Sequence, residues 1–309
     1  MKVLFVGSKR MGVLALDELV RQKADLVSVV CRWDDPNPDQ WYPSVTEQAR
    51  HHGLEPFTPN DINDPAFVKE LAGLKPDLML TAFYPKIYRA PLLDVAPLGS
   101  LNLHFAPLPR YRGSWPGAWA IINGETRHGV TLHKMTPAID AGDIIAQEFC
   151  DISPDDTGQS LYAKCEEAGL RLLQTYLPDI LQGVIEGVPQ DEARKLFYGR
   201  DMPYGGIVDF NWNTKQVVDY VRALTFPPFE NPAAICGERR MVIMKVRAGN
   251  EPSPTEVPGT VLSIDDGITV RSADGSVRIL ECAEVGGEPA PVEEIAHRLG
   301  VEVGTVLGG

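Results

Sequence analysis

Three polar side chains interrupt an apolar, strand-rich stretch of the sequence. Asn102 and His104 lie two residues apart in the run SLNLH, and Asp140 follows a Thr-Pro turn and precedes an Ala-Gly pair. Because side chains alternate along a strand, Asn102 and His104 point to the same side. A single histidine in such a strand is usually a hydrogen-bonded core residue, so the combination with Asn102 and Asp140 is what indicates a site.

Together these residue types can stabilise a developing oxyanion and move a proton to a leaving group. The Asn102 amide can donate to the oxyanion, and one such donor is worth roughly 10²–10³ in rate. His104 can donate to the same oxygen and transfer protons, which is typically worth about 10²–10⁴-fold. A nearby Asp140 carboxylate is expected to favour the imidazolium and to order a water that relays a proton.

The elements around these residues alternate between strand and helix. Predicted strands cover 3–6, 26–31, 77–82, 101–105, 130–135 and 144–149, and predicted helices cover 11–22, 44–52, 65–74 and 157–181. Alternation of this kind is typical of βαβ units in a parallel sheet, where ligands bind at the carboxyl ends of the strands. Gly7 and Gly12 lack dinucleotide-fingerprint spacing, so we interpret them as residues of a tight turn.

The last third of the sequence differs from the rest in its pattern of predicted elements. A turn-rich stretch after about residue 187 leads to a predicted helix at 214–224, and short strand-like segments follow: MVIMKV, GTVLSI, GITVRS and SVRILEC. Gly, Pro and Asp turns separate them, which favours a small antiparallel barrel or sandwich. With 309 residues the chain exceeds what one core usually organises. We therefore predict two domains, 1–200 and 201–309.

Four motifs follow one another around the candidate site: NxH at 102–104, LPxYRG at 108–113, GVT at 129–131 and IDAGD at 139–143. Their order resembles the 10-formyltetrahydrofolate-dependent formyltransferases, in which the Asn, His and Asp of these motifs are catalytic. The likeness extends over nearly the whole chain. It is greatest to the sugar N-formyltransferases, such as the formyltransferase domain of a polymyxin-resistance enzyme.

This resemblance implies a Rossmann-like, mostly parallel α/β sheet followed by an OB-like β-barrel, with 10-formyltetrahydrofolate as cosubstrate and no metal. It implies that Asn102, His104 and Asp140 are catalytic. The implied contacts to the pterin and formyl group are Lys86, Ile87, Tyr88, Thr136, Pro137, Ala138, Ile139 and Asp140. Ser114 stands where the related sugar enzymes have a folate-contacting arginine, so no folate contact is carried over to it. His128 and His133 match no catalytic position, and we expect surface or packing roles for both.

The charge distribution favours a small acceptor over tRNA. The net charge is −13, and the segment RWDDPNPDQWYPSV is short and acidic where methionyl-tRNA formyltransferases carry a basic insertion. A polyanion would have to bind without the expected cations. A nucleotide-linked amino sugar is therefore the first hypothesis, and methionyl-tRNA is the alternative. Formylation of a small amine such as hydroxyornithine, and a non-catalytic folate-binding module, are the further alternatives.

The remaining composition is that of an ordinary globular protein. Hydrophobic residues make up 44% of the chain and charged residues 23%, and no apolar run is long enough to span a bilayer. Five cysteines without metal-ligand spacing are expected to be reduced thiols. We therefore predict a cytoplasmic protein without a membrane partner, and family analogy suggests a homodimer.

Replacing Asn102, His104 or Asp140 by alanine is expected to nearly abolish turnover while folate binding stays measurable, because each side chain acts on the reacting atoms. Steady-state rates and folate titrations of the three variants test this. Near-wild-type turnover in His104→Ala would contradict the assignment.

Overall fold

The computed structural model describes residues 1–37, 40–227, 229–249 and 255–308. The chain forms two compact units. The first comprises Met1–Pro116, Arg127–Asp151 and Ala163–Gly199, and the second comprises Gly117–Thr126, Ile152–Tyr162 and the described residues of Arg200–Gly309. Two short earlier segments thus accompany the region after Arg200, whereas the sequence indicates a single boundary. The division into domains 1–200 and 201–309 stays a prediction.

The first unit is built around a six-stranded sheet with the order β2-β1-β3-β4-β6-β7. Its strands are β1 (Lys2–Gly7), β2 (Asp25–Val30), β3 (Leu78–Ala82), β4 (Ser100–His104), β6 (Arg127–Lys134) and β7 (Ile144–Asp151). The first four are mutually parallel, and β6 runs antiparallel to both β4 and β7. Two further short strands, β5 (Arg112–Gly113) and β8 (Phe197–Tyr198), pair in parallel outside this sheet.

Helices follow the parallel strands. They are α1 (Lys9–Arg21), α2 (Val45–His51), α3 (Pro65–Gly73), α4 (Ala90–Leu93), α5 (Pro116–Ile122) and α6 (Gly158–Ile180). Ser44 and Asp64 cap α2 and α3 by accepting hydrogen bonds from main-chain N–H groups in their first turns. One sheet face forms a core with α3 and α4 that includes Leu4, Val6, Met79, Leu71 and Leu92. On the first unit's other face, Gly169 of α6 lies against Met11 and Leu103.

Strand register decides which side chains meet on the α3/α4 face. Thr81 of β3 pairs with Asn102 of β4, and Asn102 pairs in turn with His133 of β6. Paired residues on neighbouring strands project to the same face. Asn102, and with it His104 two residues later, therefore lies on the face that carries Met79 and the α3/α4 core.

The second unit contains an antiparallel five-stranded sheet with the order β11-β12-β13-β10-β9. Its strands are β9 (Ala233–Cys236), β10 (Arg239–Ala248), β11 (Val261–Ile264), β12 (Ile268–Arg271) and β13 (Ser276–Glu284). Helix α7 (Thr214–Leu224) packs against β10, and α8 (Val292–Leu299) packs against β13. Val306 and Gly308 of one terminal segment bridge to Thr260 and Ile235 at opposite edges, so the sheet curls into a half-barrel.

The predicted fold class, a Rossmann-like, mostly parallel sheet with a small OB-like β domain, is confirmed. The strands and helices predicted in the first 181 residues are present, with ends within three residues of prediction. The sequence did not predict strands β5, β8 and β9 or helices α4, α5 and α8. All five cysteines are free, and four of them are buried. Among the described residues, every helix is too short or too polar to cross a bilayer.

A close backbone approach at Gly142 holds the loop between β6 and β7. A Cβ at this position would overlap the main-chain carbonyl oxygen of Lys134. We expect Gly142→Ala to lower the free energy of unfolding by about 1–3 kcal/mol, measured by chemical denaturation. Gly73→Ala is the matched control, because its added Cβ meets no atom within 4 Å. Equal stability of the two variants would contradict the close approach.

Candidate active site

The structure brings together the three side chains that the sequence singles out. Asn102 and His104 are half-buried on the last residues of β4, and the loop after β6 brings Asp140 to them. The Nδ1 atom of His104 lies 3.7 Å from Oδ2 of Asp140, and the two side chains are 11% and 13% exposed. This distance is longer than a hydrogen bond, so the two groups form an ion-pair contact rather than a hydrogen bond. The site lies at the carboxyl end of β4, as predicted.

A main-chain carbonyl determines which nitrogen of His104 carries the hydrogen. The Nε2 atom lies 3.0 Å from the carbonyl oxygen of Tyr111. Because a carbonyl only accepts hydrogen bonds, Nε2 is the donor. In the neutral ring, Nδ1 therefore has the lone pair, and it faces the Asp140 carboxylate. Protonation at Nδ1 would direct the new N–H towards that carboxylate, so Nδ1 is the nitrogen that can exchange a proton in this site.

A second histidine, His133 of β6, belongs to the same cluster. Its Nε2 atom lies 3.2 Å from Nδ2 of Asn102 and 3.7 Å from Oδ1 of Asp140, and its side chain is 2% exposed. His133 is therefore a buried packing residue, as one of the two predicted roles states, and its ring also contacts two of the site residues. Thr131 and His133 are two residues apart on one predicted strand, so the sequence indicated that they share a face. Which residue of β4 lies opposite His133 depends on strand register, which the sequence does not specify.

His133 orients the amide of Asn102. Its Nδ1 atom lies 2.8 Å from the carbonyl oxygen of Lys134, so Nδ1 carries the hydrogen and Nε2 accepts from Asn102. Burial lowers the pKa of His133 to about 4, against the opposing effect of Asp140, so the ring is neutral near pH 7. With one amide N–H donated to His133, the second N–H of Asn102 is available to a ligand.

His128, the other histidine of β6, has the predicted packing role. It is fully buried, and its Nε2 atom donates to the carbonyl oxygen of Phe105 at 2.8 Å. Its ring also meets the Tyr111 ring edge to face. His128 thus supports the loop whose carbonyl orients His104, without entering the cluster.

Asp140 is held in an uncommon backbone conformation. Its φ is +50°, in the left-handed region, and its Oδ2 atom accepts a hydrogen bond of 2.9 Å from the main-chain N–H of Gly113. Gly113 ends the LPxYRG motif and has a φ of +93°. A Cβ there would overlap the carbonyl oxygen of Tyr198, so this close approach requires glycine. Two distant motifs are thereby joined at the carboxylate.

Thr131 of the GVT motif fixes the chain just after His104. Its hydroxyl donates to the carbonyl oxygen of Ala106 at 2.6 Å and accepts from the N–H of Leu108 at 3.1 Å. The Gln147 amide of β7 donates to both the Thr131 hydroxyl and the Leu108 carbonyl, each at 2.9 Å. The buried threonine therefore replaces the ladder bonds that the chain loses where it leaves β4.

The two predicted folate-binding segments differ in structure. In the first, Lys86 and Ile87 are exposed, but the Tyr88 side chain is buried in the α3/α4 core and its hydroxyl accepts from Thr81 at 3.3 Å. Burial raises the pKa of Tyr88 far above its usual range. A ligand contact at residue 88 would therefore involve the main chain rather than the ring.

In the second segment, Thr136, Pro137, Ala138 and Ile139 are all exposed. Thr136 and Pro137 border a cavity of about 340 Å³, which lies within the size range of small-molecule sites. The other lining residues are Ala90, Leu93, Asp94, Ala96, Pro97, Gly99, Ser100 and Met135. The segment 86–88 does not line this cavity. In the described part of the chain, no group of three or more His, Cys, Asp and Glu side chains has the arrangement of a metal site.

Known families match both halves of the chain. The family model described as "Formyl transferase" matches residues 1–177, and the one described as "Formyl transferase, C-terminal domain" matches residues 203–300. The first match alone covers more than half of the sequence, and it includes the whole Asn102, His104 and Asp140 cluster.

Solved structures with a similar fold span nearly the whole chain. The sugar 3N-formyl transferase WlaRD, solved with dTDP and 5-N-formyl-THF, has 20% identity and a TM-score of 0.72 over 93% of this chain and 99% of its own. The N-formyltransferase of Helicobacter canadensis, solved with folinic acid and dTDP-3-aminofucose, has 21% identity and a TM-score of 0.71 over 90% and 98%. HypX of Aquifex aeolicus, solved with tetrahydrofolic acid, has 21% identity and a TM-score of 0.65 over 97% and 48%. At these identities the likeness shows the fold.

Loss of the His133 acceptor is expected to free the Asn102 amide and lower turnover. We expect His133→Leu to reduce kcat roughly 10–100-fold, as for other partners that orient a site residue. His133→Gln is the matched variant, because its side-chain oxygen can still accept from Asn102, and it should retain more activity. Initial rates at saturating substrate measure the difference. Wild-type kcat in His133→Leu would show that the contact is dispensable.

Proposed function

This chain belongs to the formyl transferase family, and we propose that it moves the formyl group of 10-formyltetrahydrofolate to the primary amine of a nucleotide-linked amino sugar. The observation that carries the proposal is the convergence of Asn102, His104 and Asp140, with 3.7 Å between the imidazole and the carboxylate. Two structures of similar fold, each aligned over 90% or more of both chains, were solved with a folate and a dTDP compound, which supports the choice of donor and acceptor.

Formyl transfer makes demands that these side chains can meet. The amine attacks the formyl carbon, a carbon–nitrogen bond forms, the carbonyl oxygen becomes an oxyanion, and the bond to N10 of tetrahydrofolate then breaks. Asn102 stabilises the oxyanion through the amide N–H that His133 does not accept. Because His133 fixes the amide direction in advance, little reorganisation is needed as the charge develops.

His104 carries the proton between the two nitrogens. The amine loses one proton on forming the amide, and N10 gains one on leaving, so a single residue can serve both steps. In our proposal the lone pair of Nδ1 takes the amine proton and later returns it to N10. Asp140, at 3.7 Å, stabilises the imidazolium in between. Since Nε2–H is held by Tyr111, His104 can donate to the oxyanion only through protonated Nδ1.

We propose the exposed loop 136–139 and the adjoining cavity as the pterin-binding region. Thr136 and Pro137 border the cavity, and the loop leads directly to Asp140. Because Ser100, the first residue of β4, lines the cavity, a flat ring bound there would lie next to the strand that carries Asn102. Lys86 and Ile87 would contribute from the other segment, and Tyr88 through its main chain.

The segment after β2 supports an acceptor smaller than tRNA. The two acidic residues of this segment that the structure describes have partners within the protein: Asp34 pairs with Arg32, and buried Asp35 accepts from the main-chain N–H groups of Val45 and Thr46 at 2.9 and 3.1 Å. Pro38 and Asp39 of this segment lie outside the described residues. The segment thus serves to start α2, and with a net charge of −13 the chain is poorly suited to a polyanion.

We place the enzyme in the cytoplasm, because all five cysteines are free, as is usual in a reducing compartment. A homodimer is proposed from the family resemblance alone.

Incubation of the protein with 10-formyltetrahydrofolate and a panel of acceptors tests the proposal. The panel contains UDP-, GDP- and dTDP-linked amino sugars, charged initiator methionyl-tRNA and hydroxyornithine, and formylation is detected by mass. We expect product from at least one amino sugar, and none in Asn102→Ala, the matched inactive control.

Formylation of tRNA or hydroxyornithine alone would replace the acceptor but keep the reaction class. Folate binding without any product across the panel would indicate a non-catalytic binding module and contradict the proposed reaction.

A further inference from the structure

A segment outside the four motifs connects the loop that carries Asp140 to the LPxYRG loop. We call residues 186–198 the strap. Val188 of the strap exchanges two main-chain hydrogen bonds with Ile144, at 2.8 and 2.9 Å, just after the Asp140 loop. Further along, the Leu196 carbonyl accepts from the N–H of Arg112, at 2.8 Å, in the LPxYRG motif. The strap therefore spans both loops, and Gln190 lies between its two points of attachment.

The Gln190 amide nitrogen binds the Asp140 loop from the main-chain side. Its Nε2 atom donates to the carbonyl oxygen of Asp140 at 2.8 Å and to that of Gly142 at 2.7 Å. Both N–H groups of the amide are thereby used. They hold the carbonyls on either side of Ala141, next to a residue whose φ of +50° is unfavourable for aspartate.

The Gln190 amide oxygen is held by Arg112. Oε1 accepts from Nε and Nη2 of Arg112 at 3.1 and 2.8 Å, and Nη2 also contacts Glu192 of the strap at 2.6 Å. The Arg112 side chain is only 6% exposed. Since a guanidinium has donors only, the Gln190 amide can bind Arg112 in one orientation alone, with its oxygen towards Arg112 and its nitrogen towards Asp140.

We propose that Gln190 is a positioning residue for formyl transfer. It holds the main chain of Asp140 in the left-handed conformation that directs the carboxylate between His104 and His133, and Arg112 sets the direction of its amide. The inference rests on the proposed function, since it assumes that Asp140 acts in the reaction. Small displacements of a reacting group are costly, about 10²-fold for 1 Å.

The test is Gln190→Met, which keeps the approximate length of the side chain and removes both N–H donors together with the oxygen that accepts from Arg112. We expect kcat to fall roughly 10–100-fold, as for other residues that orient a site group. The folate KM and the melting temperature should stay near the wild-type values, because the strap keeps its main-chain bonds. The ¹⁵N shifts of the His104 and His133 rings should change, since the Asp140 carboxylate moves.

Two further variants sharpen this test. Gln182→Met is the matched control: Gln182 is exposed and also donates to a main-chain carbonyl, that of Pro178 at 3.3 Å, but lies outside the strap. It should keep wild-type kcat. Gln190→Glu keeps the acceptor for Arg112 and lacks the N–H donors, so it should lose as much activity as Gln190→Met.

Wild-type kcat in Gln190→Met would overturn the inference. So would a parallel loss of kcat, folate affinity and melting temperature, because that pattern indicates a structural role alone. If the wild-type protein formylates no acceptor, the proposed function fails, and the ring shifts then decide: altered shifts in Gln190→Met support the positioning role, and unaltered shifts overturn it.

Discussion

One carboxylate placed between two imidazoles is the interaction on which the rest of this site depends. Asp140 lies 3.7 Å from a ring nitrogen of both His104 and His133. The two histidines differ in environment, because His133 is almost fully buried whereas His104 is 11% exposed. Burial keeps His133 neutral and so makes it a fixed acceptor for Asn102. His104 is the more exposed ring, and its Nδ1 atom faces the carboxylate, which is the arrangement on which the proposed proton transfer rests.

The fold places these groups through three separate devices. First, β4 carries Asn102 and His104 towards its carboxyl end. Second, antiparallel β6 places His133 opposite Asn102. Third, the N–H of Gly113 binds the Asp140 carboxylate, and Gln190 of the strap binds the Asp140 main-chain carbonyl. Each device uses main-chain groups, which have little freedom once the sheet has formed. Contacts of this kind fix the direction of the side chains, which suits the oxyanion stabilisation that we propose for Asn102.

Much of this arrangement could be predicted from the sequence. Side-chain alternation placed Asn102 and His104 on one side of a strand, and the IDAGD motif indicated Asp140 as their partner. The contact of His133 with Asn102 was not predicted, because antiparallel pairing and register are tertiary properties that no local pattern specifies. Gln190 was missed because it acts from 50 residues away through main-chain carbonyls. Tyr88 was assigned to a ligand segment, although its ring completes the core.

The most direct test of this account is the tautomeric state of the two rings, observed by ¹H–¹⁵N correlation of ¹⁵N-histidine-labelled protein. The geometry predicts that neutral His104 carries its hydrogen on Nε2 and His133 on Nδ1. With a pKa of about 4, His133 should still be neutral at about pH 6. A protonated His133 at that pH, or a hydrogen on its Nε2, would leave the Asn102 amide without its acceptor and would contradict the account.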